Sequence, residues 1–296
     1  MQFRHEGGMN KMNRIIVLVL FFMLIMSIPH EVPNYADDTD FAYTFVPAAR
    51  GWTVDPYHGF VYTTLLKLGH LIGWMTAGRL ISALSIVGCI ALLWSLTSWR
   101  VALLLFASPL IWHVGYYLTT DSLGLLFVIL AYWFYKKEKP GWFGIMAGLA
   151  FCTRYLGGAV VLLFMGMSRD QWKKALVPFL LLAGFQVYVN FCHGFGILGQ
   201  NVFNITRGPG SGMDAVVILK NLALFPVRFM VDLVPMVGAV AVIGFYSLIK
   251  NREYGLLIFS VVFLAGVSLT FYSARFLLPL VLPVCVGIDI FLRGEK

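Results

Sequence analysis

Hydrophobic residues in this chain form long runs, and short polar segments separate these runs. An apolar run of about 20 residues is typical of a helix that crosses a membrane, and shorter runs are tolerated where a helix is buried in a bundle. Ten runs fit this description, near residues 14–29, 78–97, 101–117, 120–135, 142–153, 155–168, 175–192, 232–249, 255–272 and 276–292. The pattern therefore predicts an all-α integral membrane protein of about ten transmembrane helices, with residues 1–296 forming a single domain.

The first run permits a second interpretation, as a cleaved signal peptide. Arg14 precedes a short apolar core, which is typical of such peptides. No A-x-A cleavage site follows it before the acidic segment, so a retained span is favoured.

Lysine and arginine residues set the expected orientation, because cytoplasmic loops of membrane proteins carry an excess of both. Most of the 22 Lys and Arg residues fall on one side if the N-terminus lies in the cytoplasm. We therefore expect a cytoplasmic tail over residues 1–13 and a cytoplasmic C-terminus. A prokaryotic plasma membrane is favoured over the endoplasmic reticulum. The two longest non-spanning segments, 30–77 and 193–231, then face the outside.

These two external segments differ in composition. The first begins with acidic residues and contains Gly59–Gly73, an apolar stretch that is too short to span and is predicted to be an interfacial helix. The second is rich in glycine, which is typical of irregular loops that close over membrane-embedded sites.

Composition agrees with a membrane protein, since 59% of the residues are hydrophobic and 12% are charged. Soluble domains are closer to half apolar and a quarter charged. The net charge of +8 does not indicate a nucleic-acid partner, because the basic residues are scattered between the runs. No cysteine spacing indicates a disulfide framework or a zinc site.

Three carboxylates lie close together in the first external segment, at Asp37, Asp38 and Asp40. Their mutual repulsion favours a nearby cation or arginine. A solvated loop that only keeps the segment out of the bilayer is the alternative.

Ionisable residues beside apolar runs are costly and raise a functional hypothesis. Arg154 and Arg275 each lie where an outward span ends and an inward span begins, so both are expected at the external boundary. Either arginine could bind a lipid phosphate or pair with an aspartate, and snorkelling to ordinary headgroups is the alternative. Asp121 is predicted at the same depth in the first turn of the fourth span, where capping alone would explain it.

Four stretches of the chain are similar to one enzyme family. Asp38, Asp40 and Tyr43, followed by DPYHGFVYTTLLKL, resemble the first loop of membrane-embedded GT-C glycosyltransferases, above all the protein mannosyltransferase and aminoarabinose transferase group. Further resemblance, in the family's order, lies in SPLIWHVGYYLTTDSLGLLFVILAYW, GIMAGLAFCTRYLGGAVVLLF and ARFLLPLVLP. This chain has Asp-x-Asp where the group has Asp-Glu, and DPYH where the group has a His-Pro turn.

The resemblance implies a GT-C-like fold and an inverting enzyme. It would move a hexose or pentose from a polyprenyl-phosphate donor to a hydroxyl of a lipid, glycan or protein acceptor on the external or lumenal face. Asp38, with Asp40 close behind, is then expected to be the general base. Arg154 and Arg275 are expected to bind the donor phosphate. Supporting roles are expected for Asp37, Asp121, Tyr43 and His58.

No cofactor is required by this hypothesis, although a divalent cation between Asp37, Asp38 and Asp40 is an open alternative. Membrane lipids are expected partners and nucleic acid is not. A second hypothesis, from a different class, is a transporter or lipid flippase that uses Asp121, Arg154 and Arg275 as substrate contacts.

Overall fold

A computed structural model describes residues 11–27, 46–51, 58–106, 111, 118, 120–197, 219, 223, 235–268 and 274–294. Within these residues the structure is helical and contains no strand, which confirms the predicted all-α class. The acidic part of the first external segment and most of the glycine-rich second segment lie outside the described residues.

The described α-helices are α1 (Lys11–Ser27), α2 (Val46–Gly51), α3 (Phe60–Gly69), α4 (Trp74–Leu96), α5 (Trp99–Phe106), α6 (Asp121–Lys136), α7 (Pro140–Thr153), α8 (Arg169–Cys192), α9 (Pro235–Lys250), α10 (Tyr254–Ser268) and α11 (Val281–Arg293). They are accompanied by the 3₁₀ helices His70–Ile72, Tyr155–Gly166 and Ala274–Leu280.

Among the described residues, α4 and α8 are the helices long and apolar enough to cross a membrane. The other helices at the predicted spans are shorter, so a total of ten crossings stays a prediction. The stretch Gly59–Gly73 is helical, as α3 and the following 3₁₀ turn, and its interfacial depth also stays a prediction.

Two predicted spans differ from regular α-helices. The run at 155–168 is a 3₁₀ helix over Tyr155–Gly166, which is unusually long because such helices rarely exceed four residues. Its paired glycines, Gly157 and Gly158, lower the preference for the α form. The run at 276–292 divides at Leu280 into a 3₁₀ helix that contains Pro279 and the helix α11.

Local sequence explains where the two longest helices begin. Helix α4 follows Gly73, whose φ of 93° lies in the left-handed region that glycine adopts readily. Helix α8 begins with a capping box, in which the Ser168 backbone N–H donates to Gln171 Oε1 at 3.1 Å. The capping box satisfies a backbone group that a helix end leaves without a partner.

Glycine allows helix backbones to approach closely in two places. A Cβ at Gly144 of α7 would overlap the carbonyl oxygen of Ala175 in α8, and one at Gly287 of α11 would overlap that of Gly244 in α9. Small residues at such contacts are typical of helix pairs in membranes. A polar contact adds to this packing, because Asp289 Oδ1 of α11 accepts the Ser98 backbone N–H at the start of α5 at 2.7 Å.

Helix α8 has an apolar outer face. Leu181 is 70% exposed, and Phe185 and Tyr188 are also exposed, while Gln186 and Asn190 on the opposite face are fully buried. An extended apolar surface of this kind is unfavourable in water and favourable in lipid. The length of the helix and this surface both indicate membrane association.

Candidate functional site

The centre of the candidate site is an ion pair between Arg154 and Asp121. Arg154 follows the last residue of α7, and its extended backbone, with φ −144° and ψ 122°, ends that helix. Its Nη1 donates to Asp121 Oδ1 in a salt bridge, and its Nε donates to Thr120 Oγ1 at 3.1 Å. The start of α6 and the end of α7 are thereby joined by two charge-assisted contacts.

The two partners differ in their exposure. The side chain of Asp121 is 2% exposed and that of Arg154 is 19% exposed. A buried carboxylate needs a cation, because desolvation of an unpaired charge costs several kcal/mol. Arg154 therefore both neutralises Asp121 and keeps part of its own side chain at the protein surface.

Gly59, within the segment 30–77 that is predicted to be external, packs against the corner formed by the start of α6 and the end of α7. The Gly59 backbone N–H faces the carbonyl oxygen of Thr153 at 3.4 Å. A Cβ at Gly59 would overlap the carbonyl oxygen of Cys152, so glycine is required for this approach. The preceding residue, His58, is half-buried. The backbone at Gly59 therefore packs against the end of α7, next to Arg154.

A buried amide network lies beside this corner. Gln186 Oε1 accepts the Phe60 backbone N–H at 2.9 Å, at the first turn of α3. Gln186 Nε2 donates to Asn190 Oδ1 at 2.8 Å. Asn190 Nδ2 in turn donates to the Tyr155 hydroxyl at 3.0 Å and to the Ile197 carbonyl at 3.1 Å. The network joins Phe60 and Ile197, one from each of the two segments predicted to be external, to Tyr155, the residue that follows Arg154.

Sequence reasoning missed this network and Thr120 as a partner of Arg154. A signal was present, because Gln186 and Asn190 are amides four residues apart in an otherwise apolar helix and therefore share one face. Polar residues on one face of an apolar helix normally face the bundle interior.

The predicted site residues are only partly described. The structure brings Asp121 and Arg154 into contact. His58 is half-buried and directly precedes Gly59, which contacts the end of α7. Arg275 lies in the 3₁₀ helix Ala274–Leu280, and its side chain is outside the described part. The four remaining predicted residues lie outside the described residues: Asp37, Asp38, Asp40 and Tyr43.

Within the described ranges, no group of three or more His, Cys, Asp or Glu residues is arranged to hold a metal ion. The acidic triplet that raised the possibility of a divalent cation lies outside those ranges, so that possibility stays a prediction.

Comparisons with protein-family models, with curated proteins and with solved structures find no match for this chain.

Proposed function

We propose that this chain is a multi-pass membrane glycosyltransferase of GT-C type, which moves a sugar from a polyprenyl-phosphate donor to an acceptor hydroxyl at the external membrane face. The observation that carries the proposal is the corner at Arg154. The partly exposed side chain of Arg154 is oriented there by Asp121 and Thr120, close to Gly59, which follows the acidic segment in the sequence.

The proposed reaction is one direct displacement at the anomeric carbon. Asp38 or Asp40 takes the proton of the acceptor hydroxyl while its oxygen forms the new bond to that carbon. The bond from the anomeric carbon to the lipid phosphate breaks, and its electron pair leaves with the phosphate. The configuration at the anomeric carbon is inverted.

Arg154 is proposed to stabilise the leaving phosphate. This group gains negative charge as the bond breaks, and a fixed guanidinium lowers the transition-state energy because it needs no reorientation. Two contacts fix the Arg154 side chain, to Thr120 and to Asp121. Arg275, between the last two predicted spans, is proposed to assist in binding the phosphate. Asp121 acts by positioning Arg154.

The membrane setting supports this chemistry. A lipid-linked donor is delivered in the plane of the bilayer, so an enzyme that uses it needs its reactive groups near the ends of spanning helices. We propose ten spans with both termini in the cytoplasm, in a prokaryotic plasma membrane, and a site on the opposite face.

The transporter or flippase remains a second candidate because of one observation. The 3₁₀ helix Tyr155–Gly166 follows Arg154 directly, and discontinuous helices beside charged residues are typical of transporter substrate sites. The two candidates predict different activities, sugar transfer and flux across the membrane, and each activity has its own assay.

The deciding experiment is a transfer assay with the full-length chain in lipid nanodiscs. Radiolabelled polyprenyl-phosphate sugars serve as donors and a membrane extract serves as acceptor. We expect transfer by the native protein and by Asp170→Asn, a matched control at an exposed position in the first turn of α8. We expect Asp38→Asn to reduce the rate by about 10²- to 10⁴-fold.

Other outcomes each have a defined meaning. Unchanged transfer in both Asp38→Asn and Asp40→Asn would refute the assignment of the base. Transfer that survives in Arg154→Gln would refute its phosphate role, for which we expect a loss of about 10²-fold or more. No transfer from any donor by a folded sample would favour the transporter, which flux across sealed vesicles then tests.

A further inference from the structure

The turn between α3 and α4 gathers basic and aromatic side chains that the proposed reaction does not use. We call Arg50, Lys67, His70 and Trp74 the basic elbow. Lys67 Nζ donates to the Arg50 carbonyl oxygen at 3.2 Å, which joins α3 to the end of α2. The guanidinium carbon of Arg50 lies 5.7 Å from the centre of the Trp74 ring, a cation–π distance.

His70, the remaining member of the basic elbow, contacts Trp74. The His70 ring stacks on Trp74 with 5.5 Å between ring centres and 30° between the planes. Arg50 and His70 are both exposed, and Lys67 is half-buried. The Arg50 guanidinium and the His70 imidazole are thus both held against one indole, and the Lys67 ammonium is bonded to the Arg50 backbone.

Apolar side chains at the same turn point outward. Leu71 is 87% exposed, and Leu68, Ile72 and Met75 are exposed beside it. An exposed apolar patch bordered by cations has the chemistry of a surface that inserts between lipid acyl chains while its cations meet the headgroups.

The position of the basic elbow gives its depth. Trp74 is the first residue of α4, which is one of the two described helices of membrane-spanning length. Tryptophan at the end of a span is typical of the headgroup region. Where α4 crosses the bilayer, the cations beside Trp74 are expected at the level of lipid phosphates, with the exposed leucines close to the acyl region.

We propose that the basic elbow binds the phosphate of an anionic phospholipid in the leaflet that α4 enters. The guanidinium of Arg50 matches two phosphate oxygens and the ammonium of Lys67 adds a point charge. Leu71 and Ile72 insert beside the acyl chains. The inference rests on the membrane setting of the proposed function and does not depend on glycosyl transfer.

The test measures lipid binding to the purified full-length chain in detergent by native mass spectrometry. Phosphatidylglycerol, phosphatidylcholine and a polyprenyl phosphate are titrated separately. The variants are Arg50→Gln, Lys67→Gln and the double variant. The matched control removes the same charge from two exposed positions in α8, Lys173→Gln with Lys174→Gln.

We expect phosphatidylglycerol to bind more tightly than phosphatidylcholine. The dissociation constant for phosphatidylglycerol should rise about fivefold for loss of one cation and about 25-fold for loss of both. The α8 control should change it less than about twofold on the same reasoning. Lys67→Arg keeps the charge and should keep the binding, which separates loss of charge from misfolding.

Three results would overturn the proposal. The first is phosphatidylglycerol binding that is equal in the native chain and the double variant. The second is equal binding of phosphatidylcholine. The third is tighter binding of polyprenyl phosphate that the double variant abolishes, which would assign the basic elbow to the carrier lipid. Asp38→Asn should leave phosphatidylglycerol binding intact, so failure of this inference and failure of the proposed reaction are distinguishable.

Discussion

The ion pair between Asp121 and Arg154 predicts a strong energetic coupling between α6 and α7. Removing one partner of a buried pair costs about 3–5 kcal/mol, since the remaining charge stays desolvated. Arg154 is 19% exposed and keeps some hydration when Asp121 is neutral, so Asp121→Asn should cost about 3 kcal/mol of unfolding free energy. Arg154→Met should cost at least as much, because the carboxylate that it leaves behind is only 2% exposed.

The double variant Asp121→Asn with Arg154→Met has no uncompensated charge. It should therefore cost no more than either single change, which gives a coupling energy of at least about 3 kcal/mol in the double-mutant cycle. The free energy of unfolding is measured by titration with SDS in mixed micelles. Additive single costs, with a coupling below about 0.5 kcal/mol, would refute the structural role of this pair.

A matched cycle uses the pair Lys136 and Glu253, whose Nζ and Oε1 atoms are 3.4 Å apart and whose side chains are 21% and 26% exposed. Water competes for both charges there, so the coupling should stay below about 1 kcal/mol. A coupling as large as that of the Asp121 pair would show that burial does not explain the difference.

Two further predictions concern the contacts of Gly59 and Phe60. Gly59→Ala should lower the free energy of unfolding by about 1–3 kcal/mol, because the new Cβ meets the backbone of α7. Gly184→Ala is the control: its Cβ enters open space, so the free energy of unfolding should be unchanged or raised by up to about 1 kcal/mol. The reverse order of the two variants in SDS titration would contradict the close approach at Gly59. Gln186→Leu should lower the free energy of unfolding by about 1–3 kcal/mol for each buried polar group that loses its hydrogen bond. The same variant should speed hydrogen exchange at the Phe60 amide, which loses its acceptor. Leu181→Ala, on the exposed face of the same helix, should change stability by less than about 0.5 kcal/mol, and unchanged exchange at Phe60 in Gln186→Leu would contradict the bond.

Much of the helical architecture could be predicted from the spacing of apolar residues. The runs at 78–97 and 175–192 correspond to α4 and α8, the two described helices of spanning length. The run at 155–168 is helical over Tyr155–Gly166, but its 3₁₀ form could not be predicted, because apolar periodicity does not distinguish a 3₁₀ helix from an α-helix. Both forms bury apolar side chains, and the choice depends on packing against neighbouring helices.

The charged residues of the candidate site were predictable, but their pairing was not. Arg154 and Asp121 were recognisable as charges at the ends of apolar runs, where their cost demands a partner. That they are partners of each other was not predictable, because 33 positions separate them and several carboxylates were available. Thr120, Gln186 and Asn190 were missed because uncharged polar residues in apolar runs carry a weaker signal.

Hydrophobic burial and charge desolvation act on each segment locally. The helical class, the positions of most helices and the charged residues beside apolar runs therefore follow from the sequence. The tertiary structure alone decided that Arg154 pairs with Asp121, that Gly59 rests on α7 and that Gln186 holds the start of α3. These contacts join residues far apart in the chain, and their geometry depends on how closely the helices pack.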